Sequence, residues 1–182
     1  AIWQAMLMSA GLPNSRQVFI HGFITANGQK MSKSLGNVVN PYNVVETYGT
    51  DATRYYLLAK VSPVDDGDFT KEKFEEAYTA DLANGLGNLT SRVAKMVQNA
   101  SLSVPVTELH TSSEICQHIE AFQFDKALFS LWTRIGECDK EINEKEVWKL
   151  TGDDQAQVLT RLVLSIRQIA YDLQAFLPEA AE

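Results

Sequence analysis

Two lysines three residues apart carry the first candidate chemistry. The stretch Gly28-Gln29-Lys30-Met31-Ser32-Lys33-Ser34-Leu35-Gly36-Asn37 sets Lys30 and Lys33 with hydroxyls between and after them and glycines on both flanks. Such a pair suits the neutralisation of charge that builds on a leaving pyrophosphate when a carboxylate attacks the α-phosphate of ATP. The glycines would let the loop close and reopen. A lone Lys-x-x-Lys is more often a solvated turn, so the pair needs support from elsewhere. A second set is Asn84, Asn88 and Arg92, which recur every four residues and form one polar stripe along a helix. Amides and a guanidinium read the base edges that single-stranded RNA loops expose, although the same spacing describes a solvated helix face. A third is Trp148, followed by Lys149, where a long helix ends. A tryptophan there ordinarily packs, whereas an exposed indole is a platform for an unstacked base.

The elements that must hold these residues are legible in outline. Residues 2–10 read as a short helix ended by Gly11-Leu12-Pro13. Gln17-Val18-Phe19-Ile20-His21 reads as a buried strand, and Asn27-Gly28 between extended arms as a type I′ hairpin. Helix, strand, hairpin and lysine loop in that order resemble the closing edge of an α/β domain. Asn40-Pro41 is an N-cap followed by proline at the first helical position, for a helix stopping at Gly49. Thr50 or Asp51 then caps a second helix, Ala52 to Lys60, and Val61 to Asp68 reads as a connecting loop.

Thr70 caps a long helix from Lys71 to about Gln98, whose apolar stripe is Phe74, Tyr78, Leu82, Leu86, Leu89, Val93, Met96 and Val97. Gly85 and Gly87 interrupt it, and close packing or a distortion is expected there. Further helices are expected from Ser112 or Ser113 to Ala121, from Phe124 to Asn143, and from Asp153-Asp154 onward. Residues 69–182 therefore read as an antiparallel helical bundle with short connections. Trp3 and Trp132 fall on apolar faces and are assigned to the core.

Composition narrows the classes. At 182 residues and 45% hydrophobic the chain can bury a sizeable core. No apolar run approaches the roughly 20 residues of a membrane helix, and the start lacks the basic flank of a signal peptide. It also lacks an initiator methionine and opens mid-pattern, which suggests a piece of something longer. Cys116 and Cys138 fit a reducing cytosol and make a zinc site improbable. The net charge of −7 argues against a broad nucleic-acid-binding field. The first sixty residues nevertheless carry five basic groups against two acidic ones, so any phosphate contact in the acidic remainder must be local.

Lys30-Met31-Ser32-Lys33-Ser34 resembles the signature loop of class I aminoacyl-tRNA synthetases. Its flanks, Leu35-Gly36-Asn37-Val38-Val39-Asn40-Pro41 and Tyr48-Gly49-Thr50-Asp51-Ala52-Thr53-Arg54-Tyr55-Tyr56, resemble that class as well. These alone would fit the methionine, valine, leucine or isoleucine enzymes. Ala80 to Arg92 resembles the first long helix of the methionyl-tRNA synthetase anticodon domain, and Ile142 to Trp148 its second recognition segment. One departure is Val147, where the family usually has proline.

The resemblance implies methionine activation with ATP and magnesium, then transfer of the methionyl group to its tRNA, in the cytoplasm. It assigns Lys30 and Lys33 to the pyrophosphate, and Met31, Ser32 and Ser34 to the nucleotide-binding loop. Asn84, Asn88, Arg92 and Trp148 become anticodon contacts. The fold class expected is mostly α, with the edge of a Rossmann-type domain at 1–37, a linking helical element at 38–68 and the anticodon-binding bundle at 69–182. No metal site is expected in the chain, which on its own should not activate methionine. A tRNA-binding helical module without catalysis, or another class I synthetase, remains the alternative.

Overall fold

A computed structural model describes residues 1–181. It is mostly helical, with one small sheet. The first helix, α1 (Ile2–Ser9), buries none of its residues. The chain then runs without regular structure to the hairpin β1 (Ile24–Ala26) and β2 (Gln29–Lys30). Asn27 and Gly28 take φ of 53° and 70° between Ala26 and its partner Gln29, the positive values a two-residue type I′ connection requires. A third strand, β3 (Gly67–Phe69), lies parallel to β1 with Thr25 opposite Asp68, so the sheet order is β2-β1-β3.

Two short helices separate the hairpin from β3. Helix α2 (Pro41–Tyr48) is capped by Asn40, whose side chain accepts from the Tyr42 N–H at 3.0 Å, with Pro41 where its missing N–H costs nothing. Helix α3 (Thr50–Ala59) starts earlier than the sequence suggests: Gly49 precedes it, and Asp51 sits in its first turn instead of capping it.

After β3, Thr70 caps α4 (Lys71–Ala77) by accepting from the Lys73 N–H at 3.1 Å. The same rod continues as a π-helical segment, Tyr78–Gly87, and as α5 (Asn88–Asn99). The distortion expected at the two glycines is therefore a widened turn. Gly85 faces Trp132, and a Cβ there would stand 3.7 Å from the indole nitrogen. Three helices complete the chain: α6 (Ser113–Glu120), α7 (Phe124–Glu144) and α8 (Gly152–Leu173), with a 3₁₀ turn at Val147–Lys149 between the last two.

The core runs through the helical part. Phe74, Leu89, Ile115, Leu128, Leu131, Ile142, Leu159, Leu162 and Leu173 are almost wholly buried and belong to one cluster. Tyr55 and Tyr56 of α3 join that cluster. Arg54 donates to the carbonyls of Phe176 (2.8 Å) and Ala175 (2.9 Å) just past α8, so α3 is fastened to the far end of the chain.

Three expectations are corrected. Gln17–His21 is not a buried strand: Val18 and Ile20 are exposed, and among the described residues no strand lies alongside to share a ladder. A β-branched run supplies propensity, but a strand also needs a partner. Trp3 is not core; it is 65% exposed on a helix that nothing covers among the described residues. Val61 to Asp68 is not wholly a loop, because Gly67 and Asp68 belong to β3. Trp132, by contrast, is half-buried against the Tyr55 ring, with centroids 4.5 Å apart.

Candidate functional site

The lysine loop leaves directly from β2, so the hairpin sets its base. Gly22 lets the neighbouring chain come close: a Cβ there would stand 2.0 Å from the Asp65 carbonyl oxygen, inside any possible contact. The Phe23 N–H donates to Asp66 Oδ1 at 2.7 Å, and the Gly67 N–H donates to the Phe23 carbonyl at 2.8 Å. One register further on, the Asp68 carboxylate takes the Gly28 N–H at 2.7 Å, the Thr25 hydroxyl at 2.9 Å and the Lys73 ammonium at 3.2 Å. Those bonds, led by the Gly28 N–H and then the Thr25 hydroxyl, hold the Asp68 carboxyl below its ordinary pKa.

The loop itself is closed by one residue. Asn37 accepts from the Ser32 N–H at 2.8 Å and donates to the Lys30 carbonyl at 3.2 Å, tying exit to entry. Inside that clasp the Leu35 and Gly36 N–H groups bond back to Ser32 and Lys33, and the Ser32 and Ser34 hydroxyls stand 2.7 Å apart. Met31 and Ser32 are half-buried, while Lys30, Lys33 and Ser34 are exposed. Among the described residues neither lysine forms an ion pair. Lys30 lies 5.8 Å from the Phe23 ring centroid, within cation–π range. Beneath the loop is an apolar cavity of about 210 Å³ lined by Ile24, Met31, Val39, Val44, Leu57 and Phe69. Two cations held out on a closed loop, with no carboxylate to consume them, can meet an anion arriving from solvent.

The second set is displayed differently. Asn84 lies in the π-helical segment and Asn88 opens α5, both exposed. Arg92, one turn on, is half-buried, and α7 fixes its guanidinium. Asp139 accepts one nitrogen at 3.1 Å and the Asn143 side-chain oxygen accepts another at 3.1 Å. Burial pushes the Asp139 carboxyl above its ordinary pKa, and the adjacent Arg92 charge opposes that shift.

Five residues past Asn143, Trp148 stands on the 3₁₀ turn, 52% exposed, while its neighbour Val147 is completely buried. The buried valine anchors the turn and the indole is left to solvent. Arg92 and the turn carrying Trp148 are thus joined through the end of α7. No hydrogen bond or ion pair among the described residues links this face to the lysine loop.

Sequence reasoning did not find Asn37, Asp68, Asp139 or Asn143. Asn37 follows a glycine in a turn-rich stretch, a local signal that was available. The other three act on partners 40 or more residues away, at Gly28 and Arg92, which no local pattern announces. Among the described residues no cluster of three His, Cys, Asp or Glu side chains could hold a metal ion, and no helix is long and apolar enough to cross a membrane.

Residues 1–94 match the family model described as tRNA synthetases class I (M). The methionine–tRNA ligase of Rhizobium meliloti strain 1021 is 38% identical over 98% of the chain, and that of Thermosynechococcus vestitus strain NIES-2133 is 38% identical over 99%. In both cases the chain spans 38% of the relative's length. Among solved structures, Mycobacterium tuberculosis methionyl-tRNA synthetase bound by methionyl-adenylate superposes with a TM-score of 0.83 at 32% identity. That match covers 99% of this chain and 39% of the other. On these matches the chain belongs to the methionyl-tRNA synthetase family of class I tRNA synthetases.

Proposed function

We propose that the chain is part of a methionine–tRNA ligase and supplies its pyrophosphate-handling loop and its anticodon-reading face. The observation that carries the first role is the pair Lys30 and Lys33, exposed and without ion pairs among the described residues, on a loop clasped by Asn37. In the reaction, the methionine carboxylate attacks the α-phosphorus of ATP. The bond to the bridging oxygen breaks, and pyrophosphate leaves with the electron pair. Negative charge on the departing oxygens rises through the transition state, and the two ammonium groups meet it there. The methionyl-adenylate in the Mycobacterium tuberculosis structure is the product such a step would give. Magnesium would travel with the ATP phosphates, since the loop offers cations and hydroxyls and no carboxylate ligand.

The second role rests on Asn88, Arg92 and Trp148, with Asn84 beside them. A guanidinium oriented from two sides is suited to a base edge, and an exposed indole to the face of an unstacked base of the methionine tRNA. In this reading residues 1–37 close a Rossmann-type catalytic domain, 38–68 are a linking element and 69–182 are the antiparallel anticodon-binding bundle. The mostly helical fold and its superposition on a methionyl-tRNA synthetase support that reading. The cytoplasm is the compartment where such an enzyme meets its tRNA.

The test is methionine-dependent ATP–pyrophosphate exchange by the full-length enzyme. Lys33→Ala should lower the exchange rate about 100- to 1,000-fold, the usual effect of removing one transition-state charge partner. Tight tRNA binding with an unchanged exchange rate would instead make the chain a tRNA-binding module. The 182-residue chain alone should give no exchange.

A further inference from the structure

Asn37 closes the lysine loop, and one carboxylate, Asp68, joins the hairpin beneath it to the rest of the fold. The hairpin is small: β1 has three residues and β2 two, β2 among the described residues pairs only with β1, and the loop departs from its end. An isolated two-stranded hairpin is marginal in water, so the position of Lys30 depends on what grips β1 and the turn. β3 grips β1 by parallel pairing, and its central residue, Asp68, reaches past β1 to the turn itself. The two carboxylate oxygens divide the work. Oδ1 takes the Gly28 N–H and the Thr25 hydroxyl, both on the hairpin, and Oδ2 takes Lys73 in the first turn of α4.

We infer that Asp68 is a positioning residue for the lysine loop, pinning the hairpin turn and fastening it through Lys73 to the start of the long helical rod. The inference rests on the reading of that loop as the pyrophosphate-handling element. Asp68 touches no reacting atom. It fixes the hairpin turn two residues before Lys30. Without it, Lys30 and Lys33 keep their charge and lose their place, and misplacement of a catalytic group by about 1 Å can cost up to about 100-fold in rate.

The experiment is a mutant cycle in the full-length enzyme, read by methionine-dependent pyrophosphate exchange. Asp68→Ala should lower kcat about 10- to 100-fold and leave the KM for methionine unchanged. In a Lys30→Ala/Lys33→Ala background it should reduce the rate no further, within about threefold, because with both ammonium groups gone the loop has nothing left to position. Independent, multiplying losses would overturn the proposal, as would a wild-type kcat in Asp68→Ala beside a disabled Lys33→Ala. A harmless Lys33→Ala would sink the reading of the loop itself. If Asp68→Ala does not fold, the isosteric Asp68→Asn enters the same cycle. Its amide oxygen can still accept from Gly28, but its NH₂ faces the Lys73 ammonium, so an unchanged kcat there overturns the fastening to the helical rod that the proposal requires.

Discussion

The loop-bearing segment and the helical segment present charged and polar groups at the surface by opposite means. From residue 1 to residue 51 only Ala26 is buried, and Lys30 and Lys33 are displayed on a loop secured by single side chains, Asn37 and Asp68. In the helical segment Asn88 and Arg92 flank Leu89, which is completely buried, and Trp148 follows the equally buried Val147. There the exposed Asn88 and Trp148 each adjoin a residue locked in the core, and the half-buried Arg92 precedes the buried Val93. A loop whose work is to follow charge through a transition state needs few attachments, because attachments resist motion. A face that must match a preformed ligand benefits from rigidity, since flexible groups give up entropy on binding.

The sharpest way to separate the two is to damage the core. Leu128→Ala removes a side chain 1% exposed in the second turn of α7 and should cost about 2–5 kcal/mol of the helical segment's stability. The face proposed to read the anticodon should lose order with it, seen as a lowered Tm together with weaker tRNA binding. Amide exchange of the hairpin around Gly28 should change less than that of α7. Equal loss of protection in both would mean the two segments unfold as one unit, with no difference in how they are held.

Smaller in effect is the exposed indole. Trp148→Ala should weaken binding of the methionine tRNA by about 1–3 kcal/mol, roughly 5- to 150-fold, and leave adenylate formation and Tm almost unchanged. A fall in Tm with unaltered tRNA affinity would assign the ring to packing. Its exposure makes that outcome the unexpected one.

How much of this was readable from residue order depends on how far apart the interacting groups lie. Asn40, Thr70 and the Asn27-Gly28 turn act on backbone within three residues, and each does in the structure what its local pattern implies. The long helical stretches were equally readable, because the core facing them repeats along the sequence. The sheet was not. β3 is three residues inside an acidic, glycine-containing stretch, and only its pairing with β1, some 40 residues earlier, makes it a strand. Gln17–His21 failed in the converse way, with good strand composition and no neighbour among the described residues. At the candidate sites the residues that face solvent were found and those that hold them were missed. Lys33 and Arg92 declare their charge in the sequence, whereas Asp68 and Asp139 are two acids among many until the fold sets them beside their partners.

At the hairpin turn, Gly28→Ala would place a Cβ at φ 70°, a conformation that costs a residue other than glycine about 1–2 kcal/mol. Space is not the obstacle, since a Cβ there would meet nothing within 4 Å. The loss should register in adenylate formation and leave tRNA affinity unchanged. Gly28→Asn, which tolerates the left-handed region better, should recover most of the rate. Equal rates in the two variants would remove backbone conformation as the reason.

The finest comparison uses two caps of the same kind in the two segments. Asn40→Ala and Thr70→Ala each remove one side-chain acceptor from a helix N-terminus, a loss of about 0.5–2 kcal/mol in either place. Their consequences should differ because the helices differ. Helix α2 has eight residues and buries none completely; Val44 and Tyr48 pack only partly against the core, so its first turn leans on the Asn40 side chain and Pro41. Losing the cap should raise amide exchange at Tyr42 and Asn43 and loosen the exit of the lysine loop, with the global Tm unmoved. Thr70 caps a rod that runs on through Asn99 and carries Phe74, Leu89 and Val93 into the core. That first turn cannot fray without drawing on the packing behind it, so its cap energy should appear as a lower Tm. Local exchange in both variants would show the start of α4 to be as loosely held as α2, and Asp68 would then be anchored through Lys73 to a moving part.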